Sequence, residues 1–415
     1  DLEADYYLLH NRDIPNRVDD TVVKLHGKNT FFIRKSRGDV PDPIPIPYQT
    51  RIVSVGAGEN ITGAVSNHNR VYATPYIGDS QYHHTVEFLK QSLIHLITLT
   101  METPEIDAVA LDLHPGYGTR SLAQQFARDY RVPLIQIQHH WAHAASLLLD
   151  NNIDESVILT LDGLGYGTDG TYWGGEILHT TYEGYKRVGH LEPIPLLGGD
   201  KATRDPRRLV YALFQPYGKE KYFTGTNADV LKKMIPKAPR SSSLGRILDA
   251  LSCYLDICTT MTYDGEPAMK LEKYPARGVP KHLFHITQKN GVINTSELFQ
   301  QLDTFTHFPL MLKEKADLAV SFVKTLIEAM TDLAIQTAEK HGLNTIGVTG
   351  GVSYNIPIVK MIENHAKIYD MRLLIHHRIP NGDGGISIGQ NVIAGHALTN
   401  LTKQENETLI KRQVF

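Results

Sequence analysis

Two histidines one helical turn apart could bind a metal ion. The segment 138–143 follows a predicted strand and opens a predicted helix, so His139 and His143 stand on one helix face with Cβ atoms about 5–6 Å apart. A helix N-terminus disfavours imidazolium, which favours the neutral imidazole that ligates a cation. The alternative is a polar helix start whose histidines only satisfy backbone groups. A zinc-protease motif is excluded because it needs glutamate where His140 stands.

Two aspartates follow predicted strands and could complete such a site. Asp162 opens the turn 162–165, where an unpaired carboxylate would be costly and where Gly163 and Gly165 let backbone N–H groups approach an anion. Asp383 precedes a predicted helix, at the carboxyl end of a strand where open α/β sheets place ligands. With the two histidines these carboxylates form a mixed nitrogen and oxygen donor set suited to iron or zinc. A capped tight turn and a helix N-cap are the alternatives.

Three further loops have the character of a binding site. Paired glycines let a flat nucleobase or ribose lie against the backbone, and asparagine and acidic side chains can supply hydrogen bonds. Spacing alone does not raise these loops above ordinary caps and turns. The residues concerned are Gly350, Gly351, Asn355, Asp249, Gly265 and Glu266.

The elements that must position these residues form a repeated pattern. A short strand, a glycine turn and a hairpin occur first over 51–73 and again from Val157 to Leu178. Between and after them, predicted strands alternate with predicted helices, which indicates an α/β class with a largely parallel sheet. The segment 195–315 is poor in strand signal and is predicted to be a helical insertion. Two ordinary hairpins are the alternative reading of the repeat.

The first 47 residues differ from the rest of the chain. Three short strands are predicted at 6–10, 21–24 and 30–34, followed by the proline-rich segment 40–47, which we interpret as an extended linker. So short a region cannot bury a core alone. We therefore predict a terminal piece of one domain at 1–47, a first lobe at 48–152 and a second lobe at 153–415.

Composition narrows the class of protein. The 415 residues carry 42 Lys and Arg against 45 Asp and Glu, a net charge of −3, which argues against a nucleic-acid-binding surface. With 41% hydrophobic and 21% charged residues the chain is expected to fold around a substantial core. Two cysteines, Cys253 and Cys258, exclude a disulfide framework and are predicted to be buried and inert. No membrane span or signal peptide is predicted, so we expect a cytoplasmic protein.

Taken together, the motifs resemble the C-terminal region of the HypF family, the carbamoyltransferases of nickel–iron hydrogenase maturation. The resemblance runs over nearly the whole chain and keeps one order of motifs. More distantly, the chain resembles TsaD, the threonylcarbamoyl transferase of tRNA modification. The matching segments are HNRDIPNRVDD, QHHWAHAA, LDGLGYGTDGTYWGGE, LLGGDKATRDPRR, SSSLGRILDA, YDGEPAMKLE, VTGGVSYN and NGDGGISIGQ.

The resemblance implies an actin-like, two-lobed Kae1-like fold preceded by the tail of a YrdC-like domain. It implies that carbamoyl phosphate and ATP, with Mg²⁺, give carbamoyl-adenylate, and that the carbamoyl group passes to the C-terminal cysteine of the partner HypE to make the cyanide ligands of the hydrogenase iron. The metal, Fe²⁺ or Zn²⁺, would be held by His139, His143, Asp162 and Asp383. The adenylate would be held by Asp162, Gly163, Gly165, Asp249, Gly265, Glu266, Gly350, Gly351 and Asn355. No catalytic residue is assigned.

The chain also departs from the full-length family. The acylphosphatase-like domain, the zinc modules and most of the YrdC-like domain do not match any segment, and two cysteines are too few for the zinc modules. We therefore expect this chain to bind nucleotide and metal but not to make carbamoyl-adenylate from carbamoyl phosphate. The alternatives from other classes are a TsaD-like tRNA-modifying enzyme, a small-molecule kinase on the same fold and a non-catalytic nucleotide-binding scaffold.

Overall fold

The computed structural model describes residues 4–14, 16–219 and 222–413, with side chains described up to 401. Near the N-terminus two antiparallel strands form a hairpin of their own, β1 (Val22–His26) and β2 (Asn29–Arg34). The strand predicted at 6–10 is wrong, because these residues have no regular structure and Leu8 and Tyr6 are almost fully exposed. A strand needs a neighbour to pair its backbone groups, and the hairpin does not extend to this segment.

The first lobe is built on a six-stranded sheet with the order β3-β6-β5-β4-β7-β8. Strand β4 pairs antiparallel with β5 and parallel with β7, and β7 pairs parallel with β8. The strands are β3 (Ile44–Pro45), β4 (Ile52–Ser54), β5 (Ala64–Asn67), β6 (Arg70–Ala73), β7 (Ala108–Asp112) and β8 (Leu134–Ile137).

The second lobe is built on a nine-stranded mixed sheet. Its main path runs β14-β15-β11-β10-β9-β16-β17, with β12 and β13 paired beside β10. The long strands at its centre reproduce the hairpin of the first lobe on a larger scale. The strands are β9 (Glu155–Tyr166), β10 (Tyr172–Thr181), β11 (Tyr185–Leu191), β12 (Ile194–Pro195), β13 (Arg240–Ser241), β14 (Gln288–Lys289), β15 (Val292–Ile293), β16 (Thr345–Thr349) and β17 (Arg372–Leu374).

Helices cover both sheets and dominate the predicted insertion between β12 and β16. Short 3₁₀ turns at Gly351–Tyr354 and Asp383–Gly385 precede two of them. The α-helices of the described chain are α1 (His83–Thr100), α2 (Thr119–Tyr130), α3 (His139–Asn151), α4 (Asp200–Arg204), α5 (Arg207–Phe214), α6 (Gly225–Met234), α7 (Leu244–Tyr254), α8 (Glu266–Leu271), α9 (Thr295–Phe305), α10 (Leu312–Lys340), α11 (Ile356–Ile368) and α12 (Ile386–Gln413).

Helix α12 differs from the predicted division of the chain. It follows the second lobe in sequence, but its buried residues pack with α3 and with the first sheet. Asn391 donates to the carbonyl of Ile52 at 3.0 Å and accepts from the hydroxyl of Tyr48 at 2.9 Å. Hydrophobic periodicity identifies a buried helix face but does not say which sheet it covers. The last helix therefore returns to the first lobe.

The proline-rich segment also packs against the first lobe. Ile44 and Ile46 are buried, and β3 pairs with β6 at the edge of the sheet. An edge strand tolerates proline because one side of the strand needs no N–H donor. The segment is thus extended as predicted, but it forms part of the sheet rather than a spacer.

The alternation of strands and helices, the duplicated strand–hairpin unit and the helical insertion are confirmed. The turn predicted at 162–165 is wrong, because these residues belong to β9, which runs to Tyr166, and the chain turns at 167–170 instead. Glycines favour a turn, but pairing with β10 keeps this segment extended. No helix in the described part of the chain has the length and apolarity that crossing a bilayer requires.

Candidate metal and nucleotide site

Helix α3 positions the two histidines. Its N-cap is Gln138, whose side chain accepts the backbone N–H of Trp141 at 2.8 Å, so the helix begins at His139. His139 and His143 are both fully buried, and their ring centroids are 5.0 Å apart. The predicted one-face arrangement is what the structure shows.

Two carboxylates from distant parts of the chain meet these rings. The Nε2 atom of His139 lies 3.2 Å from Asp162 Oδ2 and 3.8 Å from Asp383 Oδ1. The Nε2 atom of His143 lies 3.8 Å from Asp162 Oδ2 and 3.6 Å from Asp383 Oδ1. One donor atom from each of the four residues falls within 4.8 Å of the others. We call these four residues the His–Asp cluster.

Asp162 is aimed by an irregularity in the second sheet. The pairing of β9 with β10 shifts register at Gly174, whose φ of 154° and whose approach to the Asp162 carbonyl leave no room for a side chain. Register shifts of this kind redirect neighbouring side chains. The second oxygen of Asp162, Oδ1, accepts the backbone N–H of Gly351 at 3.2 Å. One carboxylate therefore joins the histidines to the glycine pair after β16.

The His–Asp cluster fits a divalent cation. Neither ring nitrogen of buried His143 has a hydrogen-bond partner among the described residues. A buried polar atom without a partner costs about 1–3 kcal/mol, and such atoms are rare in folded proteins. Two imidazoles and two carboxylates are donors that zinc and iron accept. A bound ion would give His143 the partner that it lacks.

The charges of the cluster reinforce one another. Burial lowers the pKa of His139, but the charge and hydrogen bond of Asp112, with the hydrogen bond of Asp162, raise it well above its usual value. Burial raises the pKa of Asp162, but the hydrogen bond from His139 and the nearby imidazole of His143 bring it well below the usual range. Without a cation the cluster thus holds protons on imidazole that a metal must displace.

Asp112 was missed by the sequence analysis. It ends β7, is buried, and its Oδ2 lies 2.8 Å from Nδ1 of His139. A carboxylate behind a ligating histidine fixes the ring and leaves Nε2 free for the metal. The signal was present in the sequence, since Asp112 is a charged residue near the end of the predicted buried strand 108–113, which precedes the strand that leads into His139.

His140 takes no part in the His–Asp cluster. Its ring is fully buried, with Nδ1 at 3.2 Å from the side-chain amide of Gln138, and its pKa is well below the usual value because of burial and of the charge on His139.

Four of the predicted nucleotide-binding glycines surround Asp162. A side chain at Gly350, where φ is 91°, would meet the carbonyl of Leu161, and one at Gly165 would meet the rings of His139 and His140. Gly351 contacts the Asp162 carboxylate, whereas Gly163 has open space around it. The backbone at Gly163 is therefore the accessible part of this segment.

The other predicted residues form a separate group or serve the local fold. Asp249 pairs with Arg246 at 2.7 Å and accepts the N–H of Ala268 at 3.1 Å, which brings α7 and the start of α8 together. Gly265 precedes α8 with φ of 70°. Asn355 caps α11 by accepting the N–H of Ile358.

Glu266 is also engaged locally. Its carboxylate accepts the N–H and hydroxyl of Thr262, at 2.6 and 2.8 Å, and pairs with Lys270 at 2.6 Å. Hydrogen bonds from Lys270 and from Thr262 lower the pKa of Glu266 to about 2. The carboxylate is therefore held in its charged form beside the turn that leads into α8.

Arg246 lies in the SSSLGRILDA segment, where the sequence analysis assigned a role to Asp249 but not to this arginine. It lies in the first turn of α7, is 4% exposed, and its Nε has no hydrogen-bond partner in the described chain. Its neighbour Gly245 packs against Gly163. A buried guanidinium with an unused N–H is suited to an anionic group. Cys253 and Cys258 are buried as predicted, and burial raises the pKa of Cys253 to about 12.

Comparison with known proteins identifies the relatives of this chain. The family described as the HypF Kae1-like domain matches residues 47–150, and the second subdomain of the Kae1-like domain of carbamoyltransferases matches residues 158–390. The probable carbamoyltransferase HypF of Methanocaldococcus jannaschii is 39% identical over 94% of this chain and 52% of its own length. The carbamoyltransferase HypF of Rhodobacter capsulatus is 32% identical over 95% of this chain and 54% of its own length.

Solved structures agree with these matches. The crystal structure of HypF from T. kodakarensis has a TM-score of 0.87 and 33% identity over 94% of this chain and 53% of that protein. A full-length HypF in a phosphate- and nucleotide-bound form has a TM-score of 0.84 and 27% identity over 94% of this chain and 52% of that protein. The chain spans about half the length of these relatives. It belongs to the HypF carbamoyltransferase family.

Proposed function

We propose that this chain performs the transfer step of carbamoylation, moving a carbamoyl group from carbamoyl-adenylate to the C-terminal cysteine thiol of HypE. The convergence of four potential ligand atoms within 4.8 Å, three of them on buried residues, is the observation that carries this proposal. Membership of the HypF family supplies the class of reaction. The same match favours carbamoyl transfer over tRNA modification and over a small-molecule kinase on the same fold.

The His–Asp cluster is proposed to hold the resident cation, Fe²⁺ or Zn²⁺. His139 presents Nε2, because Asp112 occupies its Nδ1 at 2.8 Å, and His143 presents a nitrogen that has no partner in the described chain. Asp162 and Asp383 add a carboxylate oxygen each. When bound there, a divalent cation can polarise a carbonyl or orient a phosphate oxygen.

The loops around the cluster are proposed to hold the nucleotide, as ATP or carbamoyl-adenylate with Mg²⁺. Gly163 follows Asp162 in the chain, Gly351 donates its N–H to the Asp162 carboxylate, and α7, which carries Arg246 and Asp249, packs on Gly163 through Gly245. Backbone donors there can stabilise negative charge on the leaving phosphate. A related HypF is described in a phosphate- and nucleotide-bound form, which supports this assignment.

The proposed step exchanges one bond for another. The acceptor thiolate attacks the carbamoyl carbon, a sulfur–carbon bond forms, and the bond from that carbon to the phosphate oxygen breaks so that AMP leaves with the electron pair. The thiol proton passes to solvent. Residues of this chain position the carbonyl and exclude water, and the nucleophile comes from the partner.

The test combines metal analysis, nucleotide titration and transfer. Purified chain is loaded with Fe²⁺ or Zn²⁺, mixed with carbamoyl-adenylate and HypE, and the mass of the C-terminal cysteine peptide is followed. Metal-dependent carbamoylation with release of AMP is expected, and His143→Ala should lose it. A chain that binds no metal, or a His143→Ala variant that transfers normally, would contradict the proposal.

A further inference from the structure

A second group of potential ligands lies at the other end of β9. Glu155 is the first residue of that strand, His179 lies in β10, and His341 is the C-cap residue of α10. One donor atom from each lies within 4.8 Å of the other two. Three elements that are far apart in sequence thus bring two imidazoles and a carboxylate to one place.

The pairing of the sheet explains why two of them meet. Glu155 pairs with Thr181 and Val157 pairs with His179, so Glu155 and His179 are diagonal neighbours on one face. The His179 Nε2 atom lies 2.6 Å from Glu155 Oε1. The ring of His341 stands against that of His179, with centroids 3.9 Å apart and planes tilted by 36°.

We propose that Glu155, His179 and His341 form a second metal site, for Zn²⁺ or a divalent ion with the same preference for nitrogen and oxygen ligands. Two histidines and one glutamate are ligands that zinc takes, and three protein ligands leave a fourth position for water. The negative end of the α10 dipole lies at His341 and favours a cation there. His341 is exposed, so its ring can turn toward an incoming ion.

This site is separate from the His–Asp cluster. Glu155 and Asp162 are seven residues apart on the same strand, which corresponds to about 23 Å at roughly 3.3 Å per residue. One ion cannot serve both places. The proposal therefore does not rest on the proposed function, and either can fail without the other.

The simpler interpretation is an ion pair without a metal. His179 would pair with Glu155, and His341 would only stack on it. His365 shows what such a pair looks like, because it contacts Asp332 at 2.5 Å and Glu328 at 3.8 Å. In the described chain His365 is grouped with no second imidazole as a potential ligand. It provides a matched control.

The proposal is tested by counting zinc ions. The tag-free chain is titrated with ZnCl₂ and its bound zinc is measured after equilibrium dialysis, for the wild type, His179→Ala, His341→Ala, His143→Ala and His365→Ala. His179→Ala and His341→Ala are each expected to bind one equivalent fewer than wild type. His365→Ala should bind the wild-type number.

A second readout separates loss of the site from loss of the fold. Because His341 is exposed, His341→Ala and His341→Gln should melt like wild type without zinc, and added Zn²⁺ should stabilise them less than wild type. Combining His341→Ala with His143→Ala should remove two equivalents. Unchanged zinc content and unchanged zinc-induced stabilisation in both His341 variants would overturn the proposal, whatever happens at the His–Asp cluster.

Discussion

The two strand–hairpin units share a topology but use their glycine segments differently. In the first lobe the turn after β4 is closed by the protein itself, since the side-chain amide of Gln390 accepts the N–H of Gly56 at 3.0 Å and donates to its carbonyl at 3.1 Å. In the second lobe the glycine segment 162–165 is part of β9 and carries Asp162, and the space at Gly163 is open.

The difference teaches that the unit alone does not make a binding site. Side chains at Gly56 and Gly58 would collide with the Thr62 carbonyl and the Tyr117 ring, so the first turn is packed solid. In the second lobe the backbone is engaged as well, because the Ser243 hydroxyl donates to the carbonyls of Asp162 and Gly163, but the Asp162 carboxylate reaches His139. Such a unit becomes a candidate site only where it carries a side chain that meets other potential ligands.

A substitution at Asp162 is the strongest test of the contrast between the two units. Asp162→Asn removes the negative charge of a proposed metal ligand while its amide oxygen can still accept from Gly351, so metal affinity should fall by more than the about 10–100-fold typical of losing an outer partner. Isothermal titration with Zn²⁺ or Fe²⁺ measures the loss. Asp154→Asn, an exposed carboxylate just before β9, is the control and should bind normally. Equal affinity in both variants would remove Asp162 from the site.

A substitution in the packed turn of the first lobe should instead lower the free energy of unfolding. Gly56→Ala places a side chain at φ of 73° and 2.4 Å from the Thr62 carbonyl oxygen. Strain and overpacking together should cost about 2–4 kcal/mol of unfolding free energy. Gly163→Ala, with open space and no positive φ, should cost less than about 0.5 kcal/mol. Urea unfolding of both variants measures the free energy of unfolding. Equal losses in the two variants would contradict the contrast between the two glycine segments.

A substitution at Asp112 tests how far the His–Asp cluster depends on a residue of the first lobe. Asp112→Asn keeps the size of the side chain but removes the charge behind His139, and metal affinity should fall by about 10–100-fold. The fold should persist, because the amide can still accept from Nδ1. Competition with a chromophoric chelator measures the change. A variant that binds metal as tightly as wild type would show that the ring needs no carboxylate.

The pH dependence of metal binding should follow His139. Its pKa is raised, so the imidazole stays protonated to a higher pH and must release that proton when a cation binds. Affinity should therefore rise with pH, by up to about tenfold per unit while pH is below that pKa. In Asp112→Asn the pKa falls and the rise should end at a lower pH. Titrations across neutral pH test this, and a flat profile in the wild type would contradict it.

Local rules predicted much of the fold and the four residues that meet in the His–Asp cluster. The spacing of His139 and His143 places them on one face of any helix, and the ends of buried strands pointed to Asp162 and Asp383. What could not be predicted were partners set by tertiary packing, such as Asp112 and Arg246. Their roles depend on which strand or helix lies beside them, and a single sequence does not state that.

The predicted nucleotide-binding residues show a second limit of prediction from sequence. Asn355 and Glu266 lie in glycine-containing motifs, yet the structure uses Asn355 as a helix cap and surrounds the Glu266 carboxylate with Thr262 and Lys270. Capping and ligand binding favour the same residue types at the same helix starts, so the sequence could not separate them. The assignment of α12 to the second lobe differed from the structure for a related reason. Hydrophobic periodicity shows that a helix has a buried face but not which sheet that face packs against.

The return of α12 to the first lobe ties the two halves of the molecule to one ligand set. Asp383 immediately precedes α12, which packs on the first sheet, whereas Asp162 belongs to the second sheet. The segment that carries Asp383 is bonded to both lobes, since the N–H of Gly382 donates to Tyr354 and the carbonyl of Gly384 accepts from Thr62. An ion held by the His–Asp cluster would therefore add a further bond at the place where the two lobes are already joined.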